Sequence, residues 1–127
     1  MNPFKVSMAQ ASAGMRIQSD RIAVGAENVS NADTPGYRRK ILVTGPIGNR
    51  AAQFQETRVA LDPTPGETHY EPGHPMADAE GYVVSSNVSV VREMADFREA
   101  NRSYEANLNS YQQARQMYRS LIDILKR

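Results

Sequence analysis

Asn28-Val29-Ser30-Asn31-Ala32-Asp33-Thr34-Pro35-Gly36-Tyr37 decides the fold of this chain. It closes a long amphipathic run and leads into a different kind of sequence. Asn31 is a residue that tolerates left-handed backbone at a helix end. Asp33 and Thr34 can each bond back to nearby backbone in Asx and ST turns. Pro35 presets φ near about −65° and Gly36 supplies positive φ, so Pro-Gly here is the centre of a type II turn. Tyr37 is then placed to pack its ring against the helix just left. Nothing in the stretch pairs a nucleophile with an adjacent base, and no metal-ligand spacing occurs. These residues stop a helix and fix a turn, which points to a chain built to place two long helices.

Upstream, the sequence predicts a helix from about Pro3 to Val29. Asn2 suits the N-cap and Pro3 the first helical position, where its missing N–H is no loss. Met8, Met15, Ile22 and Val29 recur every seven residues, and Phe4, Ala11, Gln18 and Gly25 fill the complementary positions, which makes a heptad seam. Ala11 and Gly25 would let a partner helix approach closely. Gly14 and Gly25 each cost about 1 kcal/mol relative to Ala, so this helix needs packing to be ordered.

Downstream, the glycine and proline distribution permits a long unbroken helix. Of the 7 prolines only Pro3 lies outside Pro35–Pro75, and of the 8 glycines only Gly14 and Gly25 lie outside Gly36–Gly81. From Tyr82 to Arg127 there is neither. Met94, Asn101, Leu108, Arg115 and Ile122 form one seven-residue series there, and Phe97, Tyr104, Tyr111, Tyr118 and Leu125 the other. Asn87 is a candidate N-cap. Lys126 and Arg127 complement the helix dipole, and Arg119 with Asp123 and Asp123 with Arg127 are i,i+4 pairs. Ala114, Met117, Leu121 and Ile124 lie beside the seam. The last turns thus carry more apolar surface than one partner helix covers, and two such helices cannot enclose a compact core. The remainder calls for other subunits.

The predicted fold is therefore mainly α, with long N- and C-terminal helices pairing as a coiled coil and a short extended or β-hairpin and loop region between them. Residues 1–37 are the N-terminal helix and its turn, 38–81 the extended and Pro/Gly-rich region, and 82–127 the long C-terminal helix. Residues 1–31 and 88–127 together form the helical domain. In the middle, Arg39 to Thr44 reads as a strand, Gly45-Pro46-Ile47-Gly48-Asn49 as a turn, and Gln53 to Leu61 as the returning strand. Asp62 to Gly81 reads as a surface loop.

Composition excludes several classes. With 127 residues, 15 basic and 14 acidic side chains and a net charge of +1, the chain has no bulk field for nucleic acid or anionic lipid. No apolar run approaches the ~20 residues of a membrane span. The N-terminal residues lack the pattern of a cleavable signal peptide. The absence of cysteine removes disulfides and thiol catalysis.

Three motifs, in order along nearly the whole chain, resemble the bacterial flagellar rod and hook family. Residues 28–37 look like that family's pattern Asn-(Ile/Val)-Ala-Asn-x-(Asn/Asp)-Thr-Pro-Gly-(Phe/Tyr), with Ser30 in place of the usual Ala. Arg102-Ser103-Tyr104-Glu105-Ala106-Asn107 looks like its C-terminal helix pattern. Glu71-Pro72-Gly73-His74-Pro75-Met76 through Val83, followed by Asn87-Val88, resembles the C-type branch of the proximal rod. The resemblance implies a structural subunit of the basal-body proximal rod, with no catalysis and no cofactor. Paired terminal helices would line the inner tube of a helical drive shaft that transmits motor torque and encloses the export channel. The terminal helices would stay disordered until incorporated. Implied partners are copies of itself, other rod subunits, the protein joining the rod to the MS ring, and the flagellar type III export apparatus. The implied location is the rod, spanning the periplasm, reached from the cytoplasm without a cleaved signal. On this reading Asn28, Asn31, Thr34, Pro35, Gly36 and Tyr37 form the assembly and turn motif. Met8, Met15, Ile22, Val29, Met94, Phe97, Tyr104, Leu108, Tyr111, Tyr118, Ile122 and Leu125 form the helix seam.

Competing readings are weaker. A generic coiled-coil adaptor accounts for the heptads but not for Thr34-Pro35-Gly36 or residues 71–83. His69, Glu71, His74, Asp78 and Glu80 could suggest a metal-dependent hydrolase, but a Pro/Gly loop gives no helical face and no zinc spacing. Arg38-Arg39-Lys40 reads as a solvated strand start rather than a phosphate patch. Asn101 and Arg115, polar at seam positions, read as solvent-facing, or as a register pin and an intersubunit partner respectively.

Overall fold

A computed structural model of the chain describes residues 2–46 and 55–127. The elements run α1 (Pro3–Ser30), β1 (Lys40–Pro46), β2 (Gln55–Leu61), β3 (Thr68–Tyr70), β4 (Tyr82–Val84) and α2 (Val90–Leu125). Two long helices with short antiparallel strands between them make the protein mainly α. Of the turn read at residues 45–49, Ile47-Gly48-Asn49 lies outside the described residues, as does Gln53-Phe54 of the returning strand. Among the described residues no helix is long and apolar enough to cross a membrane. The chain divides into two compact units, Met1–Ile22 with Phe97–Arg127, and Ala23–Asp96.

In the first unit, Asn2 caps α1: its Oδ1 accepts the Phe4 N–H at 2.9 Å and its carbonyl accepts the Val6 N–H at 3.1 Å. The Phe4 and Tyr118 rings lie 6.3 Å apart, tilted by 43°. Gly14 lies against Asn107, so that a Cβ at Gly14 would come within 2.7 Å of the Asn107 amide nitrogen. As α1 advances from Phe4 to Gly14, its neighbour on α2 retreats from Tyr118 to Asn107. These two segments therefore run antiparallel.

The buried apolar side chains of this unit are small: Ala11, Ala100 and Ala114. Close approach of two backbones needs such residues, and it turns α2 by one position from the heptads read in the sequence. The inward series runs Ala100, Asn107, Ala114, with a half-buried Asn107 between two buried alanines, rather than Asn101, Leu108, Arg115. Phe97, Leu108, Tyr111, Tyr118 and Ile122 are half-buried along its flanks, while Asn101 and Arg115 face solvent. Tyr104, Met117, Leu121, Ile124 and Leu125 are exposed, Leu125 at 76%.

In the second unit, β1 and β2 pair antiparallel with Lys40 opposite Leu61 and Thr44 opposite Thr57. A second hairpin pairs Thr68 with Val84 and Tyr70 with Tyr82. The segment read as loop thus contains a strand, and the segment read as the start of the long helix supplies that strand's partner. Two features select pairing here. Gly66 lets the chain pass Ser85, where a Cβ would lie 1.9 Å from the Ser85 carbonyl oxygen. Asp78 Oδ1 accepts the N–H groups of Glu80 and Tyr82, both at 2.9 Å, and so closes the turn ahead of β4. Helix α2 starts eight residues later than residue 82, where the Ser89 hydroxyl accepts the Arg92 N–H and Ser89, not Asn87, is the cap.

Candidate functional site

The functional candidate is the joint that follows α1. Past Ser30 the helix ends in overlapping bonds from the Asn31 N–H to the carbonyls of Glu27 and Asn28, at 3.2 and 3.1 Å. The Asn31 amide donates to Glu27 O at 2.9 Å and accepts the Thr34 hydroxyl at 3.2 Å. The Tyr37 N–H reaches back to Thr34 O at 3.2 Å, and Gly36 has φ +76°. Pro35-Gly36 therefore occupy the centre of a β-turn with positive φ at its third residue, the type II geometry. The Gly36 N–H also donates to Val84 O at 2.9 Å, which ties the turn to β4.

Asn28 organises everything around this turn, and only 1% of it is exposed. Its Oδ1 accepts the Lys40 N–H and the Tyr37 hydroxyl, each at 2.9 Å. Its Nδ2 donates to Lys40 O at 2.9 Å and to Glu93 Oε1 at 3.4 Å. Both donors and both acceptor directions of one amide are used.

Arg39 forms the second half of the joint. Its Nε donates to Glu93 Oε1, its Nη2 reaches Asp96 Oδ2 at 2.8 Å, and its Nη1 lies 3.9 Å from Asp62 Oδ2. Its backbone N–H donates to Asn87 Oδ1 at 2.5 Å, and its carbonyl accepts the Asp62 N–H at 2.8 Å. Asn87 in turn donates to the carbonyls of Asp62 and Thr64 at 3.2 and 2.7 Å. Lys40 Nζ pairs with Glu27. Among the described residues, the ion pairs are those of Arg39 and Lys40.

Arg38-Arg39-Lys40 is thus not a uniformly solvated strand start. Arg38 is exposed and donates to Pro63 O at 3.0 Å, whereas the Arg39 side chain is 14% exposed among three carboxylates. A planar fork with five donors suits that task.

The electrostatics agree with the geometry. Burial works against the Arg39 charge, but the hydrogen bond to Glu93 and the fields of Glu93, Asp96 and Asp62 outweigh it and raise its pKa. Burial, with Glu27 and Glu93 nearby, raises the Tyr37 phenol above its ordinary value. The hydrogen bond to Glu27 raises Lys40. The Thr64 backbone N–H, then its hydroxyl and Arg39, lower Asp62. All four shifts favour the protonation states that make the joint's bonds.

The structure gathers Asn28, Asn31, Thr34, Pro35, Gly36 and Tyr37 at one place. Met8, Met15, Ile22 and Val29 lie half-buried along α1. Met94, counted in the sequence as seam, is 53% exposed, because its neighbour Glu93 faces inward at 2%. Glu93, Asp62 and Asp96 were not singled out from the sequence, which read Asn87 as a helix cap and Arg39 as part of a solvated strand start rather than as members of one network. One signal was present: Glu93 lies seven residues before Ala100 and fourteen before Asn107, an acid in line with the close-packed face. The His69–Glu80 cluster gathers no metal site, since among the described residues no group of three His, Cys, Asp or Glu side chains is placed to hold an ion.

Residues 8–38, from α1 through the joint, match the family described as flagella basal body rod protein. Residues 79–124, from β4 through α2, match the C-terminal family of the flagellar basal body rod FlgEFG proteins. Asn28 and Glu93, 3.4 Å apart, come one from each matched segment. The class is that of the flagellar rod proteins. Over 136 aligned positions the chain is 40% identical to the flagellar basal-body rod protein FlgC of Agrobacterium fabrum, covering 99% of this chain and 98% of that one. It is 41% identical to FlgC of Yersinia enterocolitica, over 77% of this chain and 80% of that one. It is 33% identical to FlgC of Borreliella burgdorferi, over 94% and 96%. The chain belongs to the FlgC family of flagellar basal-body rod proteins. It is a structural rod subunit in the apparatus of bacterial motility and assembles with other rod components. The adaptor reading is not favoured by these relationships.

Proposed function

We infer that the chain is a subunit of the proximal rod in which α1 and α2 contribute to the inner tube, while the joint sets the angle at which the chain leaves that tube. The observation carrying this reading is the Asn28 amide, which spends every hydrogen bond on holding the end of α1, the start of β1 and the start of α2. A site for chemistry leaves polar groups aimed at a substrate; this one directs them at the backbone of Lys40 and the side chains of Tyr37 and Glu93. The protein has no catalytic role on this reading and uses no cofactor. Asn31, Thr34, Pro35, Gly36 and Tyr37 act with Asn28 as the turn motif.

The helix positions Met8, Met15, Ile22, Val29, Phe97, Leu108, Tyr111, Tyr118 and Ile122 serve contacts within and between subunits. Exposed Met94, Tyr104 and Leu125 serve neighbours alone. The tube so formed transmits torque and encloses the export path. The subunit reaches it through the flagellar type III apparatus and meets the protein that joins the rod to the MS ring. Deleting the gene and imaging basal bodies tests this: rods should be absent and swimming lost. Normal rods and normal swimming would refute it.

A further inference from the structure

Charge is divided along this chain. Between Val59 and Val91 there is no Lys or Arg, while Asp62, Glu67, Glu71, Asp78 and Glu80 are all acidic. Of these, Glu67, Glu71, Asp78 and Glu80 are exposed on or beside the β3–β4 hairpin. The same hairpin presents an aromatic pair to solvent, Tyr70 at 65% and Tyr82 at 43% exposed, with ring centroids 5.3 Å apart in an edge arrangement. Gly81, at φ +90°, brings the chain so close under Tyr70 that a Cβ there would lie 3.0 Å from the ring, so the aromatic pair stands on a fixed backbone.

The end of α2 has the opposite character. Arg115, Arg119 and Lys126 follow i, i+4, i+11 spacing and form one exposed, net basic stripe on the helix, with the single acid Asp123 at its edge. None of them belongs to the ion pairs found among the described residues. Arginine pairs with carboxylates through its fork and stacks on tyrosine faces. An acidic hairpin carrying two exposed tyrosines is the chemical complement of a stripe carrying two exposed arginines, and this chain holds both.

We propose that the β3–β4 hairpin of one copy docks on the Arg115–Arg119–Lys126 stripe of a second copy. The contact joins two different surfaces of the same chain. It is therefore heterologous and repeats from copy to copy around an axis, which suits a rod. This proposal rests on the rod-subunit reading and gives it a particular interface.

The absence of cysteine makes a direct test clean. Met76, in the hairpin loop and 61% exposed, and Gln112, three residues before Arg115 and exposed, are changed singly to cysteine. Cells lacking the native gene express Met76→Cys and Gln112→Cys chains together, and their basal bodies are oxidised. A mixed disulfide dimer of twice the 14.1 kDa chain mass is expected only when both variants are present. Dimers from Met76→Cys alone, cross-links only to another rod protein, or no cross-link in motile cells would each overturn the proposal while leaving the rod reading intact. If the gene deletion left swimming unchanged, the rod reading itself would fail. As a second arm, Glu71→Lys with Glu80→Lys should reduce the cross-link about tenfold, and adding Arg115→Glu with Arg119→Glu should restore it. Failure of that restoration would also overturn the pairing.

Discussion

The side-chain amide of Asn28 brackets the backbone of Lys40, accepting its N–H and donating to its C=O, each at 2.9 Å. A β-strand neighbour would satisfy the same two groups in the same way. Here a residue from the last turn of α1 does so, and β1 begins against the helix it has just left. Replacing Asn28 tests how much depends on this bracket. Asn28→Ala leaves the Lys40 backbone groups and the Tyr37 hydroxyl without partners in a part-buried place, and should cost about 2–4 kcal/mol. Asn28→Asp preserves shape but turns an oxygen toward Lys40 O and Glu93, and should cost at least as much. Denaturant unfolding checks both. An Asp variant as stable as the native chain would show that the Nδ2 donor is idle.

Arg39 should not be replaceable by Lys. A single ammonium cannot span Glu93, Asp96 and Asp62 while matching the fork geometry. Removing one partner leaves Glu93, 2% exposed, as a buried charge. Arg39→Met should therefore destabilise by about 3–5 kcal/mol, and adding Glu93→Leu should recover much of that loss. A double-mutant cycle by chemical denaturation measures the coupling. Additive losses would mean that the pair contributes little.

Two glycines of the second unit should respond differently to alanine. Gly36 has open space around a built Cβ, and only its φ of +76° resists, so Gly36→Ala should cost about 1–2 kcal/mol. Gly66 has no space, because a Cβ would press on the Ser85 carbonyl, so Gly66→Ala should separate β3 from β4. Amide hydrogen exchange at Ser85, whose N–H donates to Glu67 O at 2.7 Å, reads the second effect. Unchanged protection of Ser85 in Gly66→Ala would contradict this account.

The joint should be stable through neutral pH and open at both extremes. Tyr37 and Lys40 have raised folded pKa values, so their contribution is fully present below the unfolded values and is lost as pH rises through the folded ones, above about pH 10. Asp62 is lowered, so its contribution is present above its unfolded value and is lost as pH falls through the folded one, below about pH 4. Stability against pH checks this, and Tyr37→Phe should lessen the alkaline loss. An alkaline limit unaffected by Tyr37→Phe would remove Tyr37 from the explanation.

The helices, the cap at Asn2 and the Pro35-Gly36 turn were legible in the sequence because each rests on local chemistry: a period, a cap, a preset φ. The polar network was not, because it joins residues far apart in the chain. Asn28 and Glu93 are separated by 65 positions, and Arg39 and Asp96 by 57. Heptad counting also favours large apolar residues. It therefore chose Met94 and Leu108 over Glu93 and Asn107, where the chain had placed small or polar groups to let backbones approach. The short pair Thr68–Tyr70 and Tyr82–Val84 escaped notice because three residues carry too little alternation to see.

Electron cryomicroscopy of basal bodies tests the central claim most directly. Copies of this chain should be found in the rod, with α1 and α2 antiparallel from Phe4–Tyr118 to Gly14–Asn107 and the Asn28 amide closed on Lys40 in every copy. A rod without this chain, or one in which Asn28 and Lys40 are apart, would contradict it.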